Sequence, residues 1–163
     1  MTSKADFTDE EWTRLKRAPF IAGMAISLAD PGGPIEAVKE TAATLDTVKQ
    51  AAESGGPDEL AAAVAREALE EARQRKSPLA DFKPRGATAG VEILDELREV
   101  NRIVSEKADA EGAAGFRELL LGAAKEAAEA AKEGGFMGFR AERVSEGEQR
   151  MLETLREALA PPA

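Results

Sequence analysis

Apolar residues recur every three or four positions along most of this chain, and this spacing limits its fold more than any other feature. The run over 35–52 is the clearest case. Such spacing places apolar side chains on one face of an α-helix. Alanine makes up about a fifth of the residues and β-branched residues are sparse, so intrinsic propensity also favours helix. The sequence predicts an all-α fold.

Glycine, proline and capping residues divide the chain into six or seven predicted helices. Thr8 with Glu11, and Ser145 with Glu148, have the spacing of a capping box and predict where the first and last helices begin. Pro19 predicts a break near residue 18, because proline disrupts a helix interior. Residues 20–29 are apolar on all sides, which predicts a buried central helix.

Two apolar stripes define which faces of the middle helices should point to the core. We expect the first to consist of Ile35, Val38, Ala42, Leu45, Val48 and Ala52. The second consists of Val91, Leu94, Leu97, Val100, Ile103 and Val104. Further stripes cover 60–72, 116–130 and 151–159.

The length of 163 residues suits one domain that buries roughly two-thirds of its unfolded surface. We expect a single helical domain over 1–163, with a flexible N-terminus at 1–7 and a short tail at 161–163. Residues 76–90 hold two prolines and two glycines without a helical period, which predicts a long internal loop. Leu79 and Phe82 are predicted to attach this loop to the core.

Several features bear on the compartment of the protein. Cysteine is absent, which fits a reducing environment. The N-terminal residues lack the apolar segment of a secretory signal. The longest apolar run, over 18–29, is too short to cross a bilayer. We expect a cytoplasmic protein without membrane insertion.

The charge and the missing residue types narrow the classes of function. A net charge of −9 repels phosphate backbones, so nucleic acid is not an expected partner. Histidine, tyrosine and cysteine are all absent, which removes the most common acid–base groups and argues against a carboxylate-bridged di-metal site of the kind that uses Glu-x-x-His pairs. No nucleophile or phosphate-loop motif is present. We expect no enzymatic activity and no cofactor.

One segment resembles a known family. Residues 18–30, APFIAGMAISLAD, run into a glycine turn and then into a helix with Glu36 and Glu40. This arrangement is similar to that of TerB-like tellurite-resistance domains, and residues 123–133 followed by 144–148 echo it. The resemblance implies a compact helical domain of two related halves, a divalent-cation-binding acidic surface, and a role in stress response or protein assembly. Pro31 departs from the Asp-Gly turn of that family.

Three carboxylates form the candidate metal site. Asp30 follows one predicted helix, and Glu36 and Glu40 lie one turn apart on the next, so the three could converge on a divalent cation such as calcium. The alternative is that they are solvated charges at helix ends. The spacing of an EF-hand loop does not occur.

The stretch GGFMGF at 134–139 has two interpretations. In one, the glycines end a helix and the large apolar side chains fold back into the core. In the other, the loop protrudes and binds a partner or a second copy of the chain. The candidate partner-binding residues are Phe136, Met137, Phe139 and Arg140.

The sequence thus favours a non-catalytic helical protein that functions in interaction or assembly, through a protein partner or self-association. The alternative is a TerB-like, divalent-cation-binding stress-response domain. An enzyme whose site has no recognisable motif is a third possibility.

Overall fold

The computed structural model describes residues 1–30, 34–56, 59–79, 81–132 and 144–163. These residues form six α-helices and no strand, which confirms the all-α prediction for the part of the chain described. The helices are α1 (Asp9–Ala29), α2 (Pro34–Ser54), α3 (Leu60–Arg73), α4 (Ala89–Lys107), α5 (Ala110–Lys132) and α6 (Glu146–Ala158). Short 3-10 turns cover Lys4–Asp6 and Gly86–Thr88.

Both predicted capping boxes are confirmed. The Thr8 hydroxyl accepts from the Glu11 amide at 3.2 Å, and the Glu11 carboxylate accepts from the Thr8 amide at 2.8 Å. Ser145 and Glu148 form the same pair of hydrogen bonds at the start of α6. Each box satisfies amide groups that have no carbonyl partner within the helix.

Helix α1 lies at the centre of the bundle and contacts each of the other five α-helices. Its residues Leu15, Ile21 and Ile26 are fully buried, which confirms the predicted central helix. The break predicted near Ala18 is wrong, because α1 continues through Pro19. Burial on both sides of the proline outweighs the single backbone hydrogen bond that proline cannot donate.

Helix α2 packs on α1, α3 and α5, but in a different rotation from the predicted one. Val48 and Ala52 are buried as expected, whereas Val38 is 69% exposed and Leu45 is 39% exposed. Glu40 and Thr44 occupy the inner face instead. The predicted stripe is therefore wrong at Val38, Ala42 and Leu45. The side chain of Ile35 lies outside the described part of the structure.

Helix α4 differs from its predicted stripe only at the beginning. Val91 is 61% exposed, and Ile93 is buried in its place. From Leu97 to Val104 the buried residues are the predicted ones. The long loop before α4 packs on the core through Leu79 and Phe82, as predicted, and Arg17 lies over the Phe82 ring at 5.5 Å.

The first seven residues, where we predicted flexibility, make several contacts with the bundle. Phe7 is buried and packs against Trp12 with ring centroids 5.7 Å apart. Lys4 and the Trp12 indole both donate to the Glu67 carboxylate at 2.9 Å. Burial raises the pKa of Glu67, but these two hydrogen bonds outweigh it, and the net shift of the pKa is downward.

In the described residues, no helix is long and apolar enough to span a membrane.

Candidate functional site

Helices α1 and α2 approach each other closely where Gly23 faces Thr44. A Cβ atom at position 23 would overlap the Thr44 hydroxyl oxygen, so glycine is required for this approach. Thr44 is buried, and its hydroxyl donates to the Glu40 carbonyl oxygen at 3.0 Å. This contact sets the spacing of the two helices.

One helical turn further along the interface of α1 with α2, a carboxylate is buried. Glu40 is 3% exposed, and the Ser27 hydroxyl donates to its Oε2 atom. Ser27 follows Gly23 by four residues and Glu40 precedes Thr44 by four, so the two pairs lie on facing sides of the helices. A carboxylate withdrawn from water is costly unless hydrogen bonds compensate it. The hydrogen bond from Ser27 is therefore part of what compensates the burial of Glu40 between α1 and α2.

A cleft of about 160 Å³ opens beside these residues, between α1, α2 and the loop that precedes α4. Its apolar lining is Phe20, Gly23, Met24, Ala37, Pro78 and Leu79. Its polar lining is Ser27, Glu40, Thr41 and Thr44. The arrangement places one buried carboxylate and three hydroxyl groups in mainly apolar surroundings, which is the usual composition of a small-molecule site.

Helix α2 carries a line of exposed apolar residues on its outer side. Val38, Ala42 and Leu45 follow one another at helical spacing and are all exposed. Thr41, which lines the cleft, lies beside them on the same helix. The apolar face is thus continuous with the mouth of the cleft. Val38, Ala42 and Leu45 together form the outer face of α2.

A second, larger cleft of about 560 Å³ lies near the N-terminus. Its carboxylates belong to Glu59, Asp109, Glu111 and Glu118. Asp109 pairs with the N-terminal ammonium at 3.2 Å and accepts from the Gly112 amide at 2.7 Å. Asp109 therefore caps α5, and the three glutamates are exposed.

Of the predicted metal ligands Asp30, Glu36 and Glu40, the first and the last have different surroundings. Asp30 is exposed at the end of α1, whereas Glu40 is buried. The side chain of Glu36 lies outside the described part of the structure. Within the described residues, no group of three or more Asp, Glu, His or Cys side chains could hold a metal ion. A cation site that includes Glu36 stays a prediction.

Asp30 instead lies near a carboxylate that the prediction did not include. Burial raises the pKa of Glu148, and the nearby negative charge of Asp30 raises it further, against the lowering effect of the Ser145 amide. The two carboxylates are brought together because α6 begins against the end of α1. A Cβ on Gly147 would lie 2.6 Å from the Ala29 carbonyl oxygen.

The candidate partner-binding residues Phe136, Met137, Phe139 and Arg140 lie outside the described residues, as does all of 133–143. Both interpretations of that stretch stay predictions.

Sequence reasoning included Glu40 in a site but missed the groups around it. Ser27 interrupts an otherwise apolar run, and Thr44 follows Glu40 by one turn. A polar residue inside an all-apolar helix and a second one on the facing helix are a signal of a buried polar contact. That signal becomes useful only when the pairing of α1 with α2 is known.

No protein-family model, curated protein or solved structure matches this chain. The resemblance to TerB-like domains therefore stays a prediction.

Proposed function

We propose that this protein acts without catalysis, as an interaction or assembly protein that binds another polypeptide through the outer face of α2. The observation that carries the proposal is the orientation of this helix. It turns Glu40 and Thr44 inward and leaves Val38 and Leu45 in water. A helix whose role is only structural would gain stability from the opposite rotation.

The energetic argument concerns the two large residues of the outer face. Covering a valine or leucine side chain contributes about 1.5–3 kcal/mol, and a spacing of four and three residues suits an apposed helix. Each copy of the chain carries a net charge of −9, so two copies repel each other. The proposed partner is therefore a different protein, with a neutral or basic amphipathic helix.

Site-specific photo-cross-linking tests this proposal. A photo-reactive residue replaces Leu45 in one preparation and Val91 in the other. Val91 is a matched control because it is an equally apolar, exposed residue on α4. Each protein is irradiated alone and in a lysate of its source organism.

We expect an adduct of defined mass from position 45 in the lysate, and none from position 91. Excess unmodified protein should compete with this adduct, whereas a Val38→Glu, Leu45→Glu variant should not. An adduct of twice the chain mass from purified protein would instead identify a second copy as the partner. Equal labelling from both positions, or competition by the double variant, would contradict the proposal.

Divalent-cation binding is the alternative, and the proximity of the Asp30 and Glu148 carboxyl groups, by which Asp30 raises the pKa of Glu148, is the observation that favours it. Thermal unfolding after EDTA treatment, repeated with calcium, magnesium, manganese or zinc, tests it directly. A cation that binds only the folded state raises Tm. A rise that an Asp30→Asn variant loses would support this alternative, and no rise with any of the four would reject it.

A further inference from the structure

The three hydroxyl groups of the α1–α2 cleft all donate to oxygen atoms of the protein. Ser27 donates its hydroxyl proton to Glu40 Oε2. Thr41 donates to the Ala37 carbonyl oxygen at 2.8 Å, and Thr44 donates to the Glu40 carbonyl oxygen at 3.0 Å. Each hydroxyl has only one proton, so its oxygen can offer only lone pairs to a further group. A ligand that leaves these hydrogen bonds in place therefore binds to the cleft as a hydrogen-bond donor.

The buried carboxylate specifies the charge of that donor. A hydrogen bond between an ammonium and a carboxylate is about twice as strong as one between neutral groups. A primary ammonium carries three N–H donors and no acceptor, which matches a lining made of acceptors. The negative field of the whole chain, with its net charge of −9, also attracts cations to the surface.

The apolar walls and the volume specify the rest of the ligand. Phe20, Met24, Pro78 and Leu79 surround the polar groups, so the body of the ligand is apolar. The volume of about 160 Å³ is close to the cavity of about 150 Å³ that holds one benzene molecule in another protein. The cleft can hold about six non-hydrogen atoms by that comparison.

From these observations we infer that the α1–α2 cleft binds a primary ammonium group on a short alkyl chain. The ammonium hydrogen-bonds to Glu40 and to the neighbouring hydroxyl oxygens, and the alkyl chain lies against Met24 and Leu79. A free alkylamine and the lysine side chain of a protein share this chemistry. The inference holds whether or not the outer face of α2 binds a partner.

The first experiment compares two probes of the same shape. n-Pentylammonium and n-pentanol are titrated into the full chain while the methyl NMR signal of Met24 is followed. We expect n-pentylammonium to shift this signal and to bind about tenfold more tightly than n-pentanol, the ratio that one charge-assisted hydrogen bond supplies. Equal affinities for the two probes, or no shift of the Met24 signal, would overturn the inference.

Two variants assign the effect to this cleft. Glu40→Gln keeps the size of the side chain and an acceptor for Ser27, and it should reduce the preference for the ammonium to about onefold. Glu153→Gln removes an exposed carboxylate of α6 and should leave the preference unchanged. If Glu40→Gln fails to fold, Ala37→Leu serves instead, because it fills the exposed rim of the cleft without altering Glu40. Tight ammonium binding that survives both Glu40→Gln and Ala37→Leu would also overturn the inference.

A third probe distinguishes the two sources of the ammonium. N-acetyl-lysine methylamide carries the lysine side chain on a blocked backbone. If it displaces n-pentylammonium, a lysine of a protein can enter the cleft. If it does not, while n-pentylammonium binds, the ligand is a free alkylamine. If photo-cross-linking from position 45 yields no adduct while n-pentylammonium still binds, only the proposed protein partner is rejected and the inferred ammonium site stands.

Discussion

At the scale of single residues, Gly23 shows how one missing side chain determines the position of two helices. Its hydrogen atom faces the Thr44 hydroxyl, where a methyl group would overlap it. The close approach brings Ser27 to Glu40 one turn further on. The cleft and its buried carboxylate therefore depend on a residue that has no chemistry of its own.

We predict that Gly23→Ala destabilises the protein. Overpacking against Thr44 costs about 1–3 kcal/mol, and the better helix propensity of alanine recovers about 0.5–1 kcal/mol. The expected net loss in the free energy of unfolding is about 1 kcal/mol, measured by urea denaturation. Gly115→Ala is the matched control, because no atom lies within 4 Å of a Cβ there, and it should stabilise. Equal stabilisation by both substitutions would show that Thr44 moves aside without cost.

Glu148 provides a prediction about pH. Its pKa is raised above 4.5 by burial and by Asp30, so the folded state favours its neutral form. The stability that this raised pKa contributes is fully present below the pKa of Glu148 in the unfolded chain. It is lost as pH rises through the pKa of Glu148 in the folded protein. Glu148→Gln cannot titrate but can still accept from the Ser145 amide. The advantage of wild type over this variant should therefore decrease between about pH 4 and pH 7.

Chemical denaturation of both proteins across this pH range measures the difference. In an Asp30→Asn background the pH dependence should become weaker, because one cause of the raised pKa is removed. A wild-type advantage that grows with pH would mean that the helix N-terminus outweighs burial, and it would contradict the prediction.

At the scale of elements, the helices differ in how fully their sequences define them. α6 is defined locally, with a complete capping box at its start, Leu155 buried within it and Leu159 buried at its C-cap. α1 is defined by its surroundings, since it continues through Pro19. α2 is intermediate, because its helical state follows from its sequence but its rotation about its own axis does not.

The cap of α6 can be tested with a matched pair of substitutions. Ser145→Ala removes the hydroxyl that accepts from the Glu148 amide and should cost about 1 kcal/mol. Thr154→Ala also removes a hydroxyl, one that donates to the Arg150 carbonyl oxygen at 2.9 Å. It should cost nothing or stabilise by a few tenths of a kcal/mol, because alanine is the better helix former. Thermal unfolding of the two variants measures the contrast, and equal losses would argue against a capping role.

At the scale of the whole molecule, one polar residue connects three helices. Asn101 on α4 donates to the Ala160 carbonyl oxygen at 2.9 Å, just beyond α6. Its own side-chain oxygen accepts from Arg117 of α5 at 2.7 Å. Arg117 also donates to Ser105 of α4 at 2.6 Å. The network ties the end of the chain to the bundle.

We predict that Asn101→Ala loosens α6 in particular. Leaving the partners of the asparagine unsatisfied costs about 1–3 kcal/mol. Native-state hydrogen exchange of the variant is compared with that of wild type. The substitution should accelerate exchange of the α6 amides more than exchange of the α1 amides, because the lost contacts hold the C-terminal end. Arg98→Ala, which removes an exposed ion pair with Asp95, is the control and should leave exchange unchanged. Uniformly faster exchange would indicate a global effect instead.

The sequence by itself determined the all-α class, both capped helix starts, the buried central helix and the attachment of the long loop through Leu79 and Phe82. These features depend on local propensity, on hydrogen bonds between residues three apart, and on apolar spacing within one element. Each is complete within a short stretch of chain, and so each can be inferred from that stretch.

Only the tertiary structure decided which face of α2 points inward, that α1 passes through Pro19, and that Ser27 meets Glu40. These outcomes depend on which helices become neighbours. Gly23 and Thr44 lie on different helices. Their close contact turns the face of α2 that carries Glu40 inward and leaves the outer face of α2 exposed. The physical reason is that the free energy of packing two helices is summed over the whole interface. A favourable total can therefore bury a carboxylate and leave Val38 in water, against the preference of each residue alone.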